Sequence, residues 1–582
     1  MGRIMKKTGA WLVRYALEQL GIRYTFGIPG VHNTELYDEL NNSSTITPVL
    51  VTHESGGSFM ADAVSRVSDS IGCMVIVPAA GAAYASAGIG EAYLAGVPML
   101  VICGGIRTDS QFRYQLHDVD QHAMMAPITR KTWRVLSHEE IVPTLYAAYE
   151  LATQGEPGPV FVEVPVNLQL YTGEVSELPV FQASIRKPPD LNPVQVDHAV
   201  ELLRRAKRPG IFVGWGAVDA TTWVQKIADH LNAPVATTLQ GVSAFPANHP
   251  LHTGMSFGPS AVPAAENAFH QCDVMLAVGT RFGEIATGSF GVKVPAKLIH
   301  VDINPQVLGA NYPAKIALIG DASHVLEALW NGLSTAPAPS QARPELREQI
   351  RRDKEAYQQE WLKHDSGQRV NPARFFNGLR AQLKDDAIVV LDDGNHTFLA
   401  AELLPIHQAR GLISPTDFNC MGYCIPATIA AKLTNRDKQV VGIVGDGAFM
   451  MTCMEIVTAA THRIGAIFFV FSDGELSQIS QAQEIPYNRK TCTVLGKLDV
   501  SGVAKATGAR FLALESNDKI EDVIRRAFAL AGEGSPVLVD VNIDYSRRTR
   551  FTEGIVKTNL QRFPLNAKAR FIGRALIRRV KV

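Results

Sequence analysis

The sequence predicts an α/β protein built from three doubly wound parallel-sheet domains. Three observations carry that expectation. Short runs of β-branched and aliphatic residues alternate with segments of helical apolar spacing along most of the chain. Several of these runs stop at Gly- and Asp-bearing turns, as strands of an open parallel sheet do where the next helix begins. Two Pro-containing stretches, Glu177 to Pro193 and Ser334 to Pro344, break the pattern and read as linkers. They set the expected domains at residues 1–175, 190–335 and 345–545, with a basic tail at 546–582.

Composition excludes several classes. The 582 residues suit three to four domains, and 46% apolar residues are ample for their cores. Acidic and basic residues balance at 56 each, which gives no global electrostatic case for nucleic acid or membrane. Seven scattered cysteines, an odd number, argue for a reducing compartment, so cytoplasm is expected. Near the amino terminus Trp11, Leu12, Tyr15, Ala16 and Leu20 recur at helical spacing around Arg14 and Glu18, unlike a signal-peptide block. No apolar run approaches the roughly 20 residues of a spanning helix.

In the first block, Tyr24 to Ile28 reads as a strand stopping at Gly27-Ile28-Pro29-Gly30, with His32 just beyond. A helix follows from Thr34, then a strand from Ile46 to Val51 whose end carries Thr52-His53-Glu54. An isolated Glu there reads as a helix cap or dipole partner. Val75 to Tyr93 holds the small-residue loop Ala79-Ala80-Gly81, and Gln115 to His122, which includes His117, leads on to Ala126-Pro127-Ile128-Thr129-Arg130. The second block opens with a strand, Gly210 to Val213, running into Gly214-Trp215-Gly216, a Gly-x-Gly without the third Gly and so weak as a dinucleotide fingerprint.

The third block carries the densest chemistry. Val389 to Leu391 is a strand ending in Asp392-Asp393-Gly394-Asn395-His396. Gln439 to Val444 is another, stopping at Gly445-Asp446-Gly447-Ala448; a helical segment then leads to the strand Ala466 to Phe471, which stops at Ser472-Asp473-Gly474-Glu475. A right-handed crossover puts both turns on one sheet edge. Two carboxylates beside glycines there suit one Mg²⁺ carrying a diphosphate. A lone Gly-Asp-Gly is more often a tight turn.

The paired turns resemble the metal and diphosphate motif of thiamine diphosphate enzymes, whose second turn is usually Asn-Asn rather than Ser472-Asp473. HESGGSFMADAVSR, beginning at His53, resembles their pyrimidine-domain signature, and FNCMGYCIPATIAAKL their Met-Gly-x-x-x-Pro-Ala segment. Most of residues 5–545 resembles the acetolactate synthases, with some features of benzaldehyde lyase. The resemblance implies thiamine diphosphate and Mg²⁺ as cofactors and Asp446, Asp473 and Glu475 as metal ligands. It implies Pro29, Asn395, His396, Gly445, Gly447 and Ala448 as cofactor contacts, Met421 as the wedge beneath the cofactor, and Glu54 as the proton partner of its aminopyrimidine ring. Around the substrate it implies His32, His117 and Arg130, with Arg130 holding a second 2-oxo acid.

The activity implied is carboligation: a 2-oxo acid such as pyruvate is decarboxylated and joined to a second carbonyl. A benzaldehyde lyase-like or simple decarboxylase activity is the alternative, favoured by His32 and by Ala482, which stands where biosynthetic acetolactate synthases have Trp. A non-catalytic cofactor-binding paralogue is a third class. Flavin adenine dinucleotide stays open, because some members hold it in the central domain around positions such as Arg281 and Thr287 while catabolic members do not. The family shares its cofactor between two subunits, implying a homodimer or homotetramer. Cys420 and Cys424 lack a second pair and so make a weak metal site. The tail holds eleven basic residues against Glu553. It reads either as a short basic amphipathic helix at Arg570 to Ile577, touching anionic lipid or a partner, or as a segment folded back over the chain.

Overall fold

The computed structural model describes residues 5–183, 191–337 and 343–580, so both linkers lie partly outside the described residues. Three sheets of six strands organise the chain, every neighbouring pair parallel. In spatial order the first is Thr47–Leu50, Tyr24–Gly27, Gly72–Ile76, Met99–Gly105, Pro159–Pro165 and Thr132–Arg134. The second runs His252–Met255, Val235–Thr237, Pro209–Val213, Val274–Val278, Lys297–Asp302 and Ile316–Ile319. The third runs Leu412–Ile413, Ile388–Leu391, Val440–Gly445, Ile467–Phe471, Val537–Val541 and Arg510–Leu514. Helices cover both faces, which is why these strands read as apolar runs rather than alternating ones.

Each sheet starts in its interior, builds to one side, then returns and builds to the other, so each has one switch point. These fall between Tyr24–Gly27 and Gly72–Ile76, between Pro209–Val213 and Val274–Val278, and between Ile388–Leu391 and Val440–Gly445. At such a point the two crossovers leave in opposite directions and open a crevice at the strands' carboxyl ends. The predicted Pro29, Gly214 and Asn395–Asp446 turns all stand at these crevices.

The first and third domains meet through the helices Glu54–Val67 and Cys424–Thr434, both almost fully buried. Gly56 permits that approach: a Cβ there would sit 2.6 Å from Glu455 Oε2. Beneath the third sheet Phe375 packs edge-on against Phe376, Phe469 and Phe471 at 5.0–5.3 Å, which fixes the strand ending at Ser472. Phe375→Ala is expected to cost about 3–5 kcal/mol, read as a lower urea midpoint at unchanged slope.

The tail forms two helices, Arg550–Arg562 and Leu565–Val580, the second longer than the sequence suggests. It folds back onto the helix Ser477–Tyr487: Arg578 donates to the Tyr487 carbonyl at 3.1 Å and the Arg574 guanidinium stacks over the Tyr487 ring. No described helix is long and apolar enough to cross a membrane.

Candidate active site

The two acidic turns of the third domain touch. Asp446, the first residue after Val440–Gly445, accepts hydrogen bonds from the main-chain N–H groups of Gly447 (2.9 Å), Asp473 (3.1 Å) and Gly474 (2.7 Å). Burial raises its carboxyl above the ordinary range although these three donors oppose the shift. Burial, with Asp446 adding to it, pushes Asp473 up to about 6, and Ser477 donates to its carboxylate. Two crowded acids thus share one crevice. The Glu475 carboxylate is committed elsewhere, to Lys490 at 2.6 Å and to Ser480. Among the described residues no three or more His, Cys, Asp or Glu side chains are grouped to hold a metal, so the pair stands alone.

Across the same switch point Gly394 takes φ +153°, and His396 lies against Gly445, where a Cβ would come within 3.4 Å of its ring. Burial lowers the imidazole to about 3, so it is neutral, and its buried Nε2 has no partner among the described residues. Asn395 is partly exposed beside it. A Cβ on Gly447 would lie 2.4 Å from the tip of Leu476, which would have to shift, while Ala448 is buried. Half-buried Met421 lies on a loop whose next N–H groups, Gly422 (2.9 Å) and Cys424 (2.8 Å), both donate to buried Asp392. Cys420 and Cys424 are free thiols with main-chain partners.

In the first domain Glu54 is buried at the head of its helix, close to Gly81, and Pro29 is exposed at the neighbouring crevice. His32 and His117 come together edge to face at 5.0 Å. Burial and His117 both lower the His32 imidazole, whose Nδ1 is buried without a partner. His117 sits at φ +67° and Ala79 at φ +56°, backbone that costs a side-chain-bearing residue about 1–2 kcal/mol. Gln121 supports this turn by accepting from the Ala79 N–H at 3.2 Å.

Arg130, expected beside the substrate, has its guanidinium engaged at a helix end. Its guanidinium donates to the carbonyls of Leu151 and Gln154 (2.7 Å), at the carboxyl end of the helix His138–Thr153, and its half-buried stem packs on Gly158. The helix's last carbonyls need donors, and Arg130 supplies them.

Three descriptions of thiamine pyrophosphate enzyme domains match the chain: the N-terminal TPP binding domain over residues 7–124, the central domain over 196–329 and the C-terminal TPP binding domain over 392–541. The acetolactate synthase large subunit of Haemophilus influenzae is 30% identical over 561 residues, covering 93% of this chain and 96% of that one. The probable acetolactate synthase large subunit of Methanocaldococcus jannaschii is 30% identical over 556 residues, 92% of each chain. Isozyme 3 of Escherichia coli is 29% identical over 551 residues, 93% of this chain and 95% of its large subunit. The chain belongs to the thiamine pyrophosphate enzyme family.

At the central domain's crevice lies a cavity of about 390 Å³, lined also by first- and third-domain residues such as Arg66 and Arg410. Gly214 and Gly279 make it: a Cβ on Gly214 would lie 2.1 Å from the Gly279 carbonyl oxygen, and Gly279 takes φ +59°. Arg281 lines it, ion-paired with Asp417 at 2.7 Å, and burial pushes Asp302 up to about 6 at its floor. Thr287 is turned away, donating to the Gly283 carbonyl at 2.7 Å.

Two buried carboxylates escaped the sequence reading. Asp392 lay inside a quoted turn without a role, and only the fold shows it bracing the Met421 loop. Glu455 accepts from Thr52 N–H (3.1 Å) and Oγ (2.6 Å), bracing from the third domain the turn that presents Glu54. An acid inside an otherwise apolar segment was the available signal.

Proposed function

We propose that this enzyme is an acetolactate synthase-like carboligase dependent on thiamine diphosphate and Mg²⁺, acting on pyruvate or a related 2-oxo acid. The observation that carries it is the joined Asp446–Asp473 pair at the third switch point. Among the described residues neither acid forms an ion pair, and oxygen donors of this kind fit a hard divalent cation, which would offset the burial that raises both groups. The unpartnered His396 nitrogen fits a diphosphate oxygen or its shell of water.

Asp446 and Asp473 would hold Mg²⁺, while Glu475 keeps its carboxylate on Lys490 and contributes through its main chain. Asn395, His396 and the backbone of Gly445, Gly447 and Ala448 line the diphosphate; Met421 and Pro29 flank the rings. Bound there, thiamine diphosphate would supply the nucleophilic carbon and the electron sink that decarboxylation of a 2-oxo acid needs. Glu54, buried at the head of its helix, would hold and return the proton of the aminopyrimidine ring nitrogen. Neutral His32 and its neighbour His117 orient the substrate oxygens.

Exposed Tyr84, Phe418, Met450, Met451 and Met454 give the crevice a large apolar surround, which suits a second copy of the chain in a homodimer or homotetramer. Flavin adenine dinucleotide is the candidate for the central cavity, and the visible absorbance of the purified protein decides it. Seven free cysteines accord with a cytoplasmic setting.

Incubation with pyruvate, thiamine diphosphate and Mg²⁺ is expected to yield mainly 2-acetolactate. Mainly acetaldehyde would overturn carboligation in favour of a decarboxylase using the His32–His117 pair as proton donor, and no turnover of any 2-oxo acid would leave a non-catalytic paralogue. Arg130→Ala is expected to leave the product ratio unchanged and to destabilise by about 1–3 kcal/mol through the loss of its two hydrogen bonds to the helix end.

A further inference from the structure

The loop that presents Met421 is laid along a helix of the other cofactor-binding domain, Ala80–Ala95. Cys420 Sγ donates to the Ala87 carbonyl at 3.5 Å, and the Phe418 ring lies so close to Gly90 that a Cβ there would be 2.6 Å away. Between these contacts stands Glu91, fully buried. Its two carboxylate oxygens accept separately, one from the Thr416 N–H at 3.0 Å and the other from the Cys420 N–H at 3.3 Å. Asp392 takes the N–H groups on the far side, at Gly422 and Cys424. Met421 is therefore bracketed by two carboxylates from different domains.

We propose that Glu91 is a positioning residue that sets the height of Met421 beneath the thiazolium ring, so that the first domain controls reactivity at a loop of the third. The inference rests on the reading of Met421 as the cofactor's support.

A carboxylate is a costly way to hold a loop. Glu91 is packed against the buried Arg66–Asp62 pair and the Tyr423 hydroxyl that donates to Asp62 at 2.6 Å, and burial pushes it up to about 7. A hydroxyl or amide could satisfy one N–H more cheaply. Only a carboxylate offers two acceptor oxygens, with no donor, to two N–H groups four residues apart. The loop is also held at its flanks, by the Arg281–Asp417 ion pair, by the Cys420 thiol on the Ala87 carbonyl and by Thr452 on the Gly422 carbonyl, while Asn419 stands at φ +65°. Losing one bracket would let Met421 shift while the Asp392 side stays fixed.

The test uses the full chain with thiamine diphosphate and Mg²⁺. Glu91→Leu is expected to bind thiamine diphosphate within about threefold of wild type, yet to slow hydrogen–deuterium exchange at the thiazolium carbon by about 10- to 100-fold, the scale of a 1 Å misplacement. Glu91→Gln, which keeps one acceptor, should recover part of the rate. Wild-type exchange in a folded Glu91→Leu variant overturns the proposal. Should that variant not fold, amide exchange in the unaltered protein decides: the Thr416 and Cys420 amides are expected to be as protected as the Val440–Gly445 strand, and fast exchange there overturns the clamp. A wild-type protein that binds no thiamine diphosphate overturns the cofactor reading instead, and the inference with it.

Discussion

Glu54→Gln is expected to keep thiamine diphosphate bound and to lose turnover by about 10²- to 10⁴-fold, the range for removing a general acid–base partner. The amide retains the size of the carboxyl and its place at the head of the helix, so packing against Gly81 and the Glu455 brace on Thr52 should survive. What disappears is the exchangeable proton. Affinity measured by fluorescence quenching should therefore stay near wild type while exchange at the thiazolium carbon collapses. Wild-type exchange in Glu54→Gln would remove Glu54 from the proton relay. Parallel loss of affinity and exchange would make it a binding residue only.

Asp446→Ala is expected to abolish cofactor binding altogether. The substitution removes an oxygen donor and also the acceptor for three N–H groups, those of Gly447, Asp473 and Gly474. Each orphaned donor costs about 1–3 kcal/mol where it stays buried, so the second turn should drift away from the first as well. Asp473→Asn is expected to be tolerated, because the amide oxygen still coordinates and Ser477 can still donate to it. Isothermal titration with thiamine diphosphate at saturating Mg²⁺ separates the two. If Asp473→Asn abolished binding while Asp446→Ala preserved it, the roles assigned to the two turns would be wrong.

The sequence disclosed what is repeated and local. Strand–turn–helix punctuation placed Asn395, Gly445 and Asp473 at sheet edges, because a parallel sheet with one switch point leaves few other places for such turns. Arg130 shows the limit of a motif, which gives a residue type and not the direction of its side chain. Whether that guanidinium meets a substrate or the helix end at Leu151 depends on how residues 138–158 pack, and no local pattern encodes that. The meeting of His32 with His117, 85 positions apart in sequence, was likewise not legible. For Glu91 and Glu455 an acid in an apolar segment could flag the residue but not its role, and for a stronger reason. Both accept from main-chain N–H groups more than 300 residues away, and a backbone donor leaves no signature in the amino acid that bears it.

The helix Leu565–Val580 rests on Ser477–Tyr487, the segment that follows the Asp473–Glu475 turn and carries Ala482. Its hold is a few polar and ring contacts around Tyr487 and Arg578, with Leu565, Ile572, Leu576 and Ile577 left exposed, and a helix so held opens at low free-energy cost. A protease that cuts near Phe563 would therefore strip this cover without touching any of the three sheets. Trimmed molecules would keep their melting temperature and their cofactor and lose the order of the Ser477–Tyr487 helix, so a preparation of uniform fold could still be a mixture of unequal specific activity.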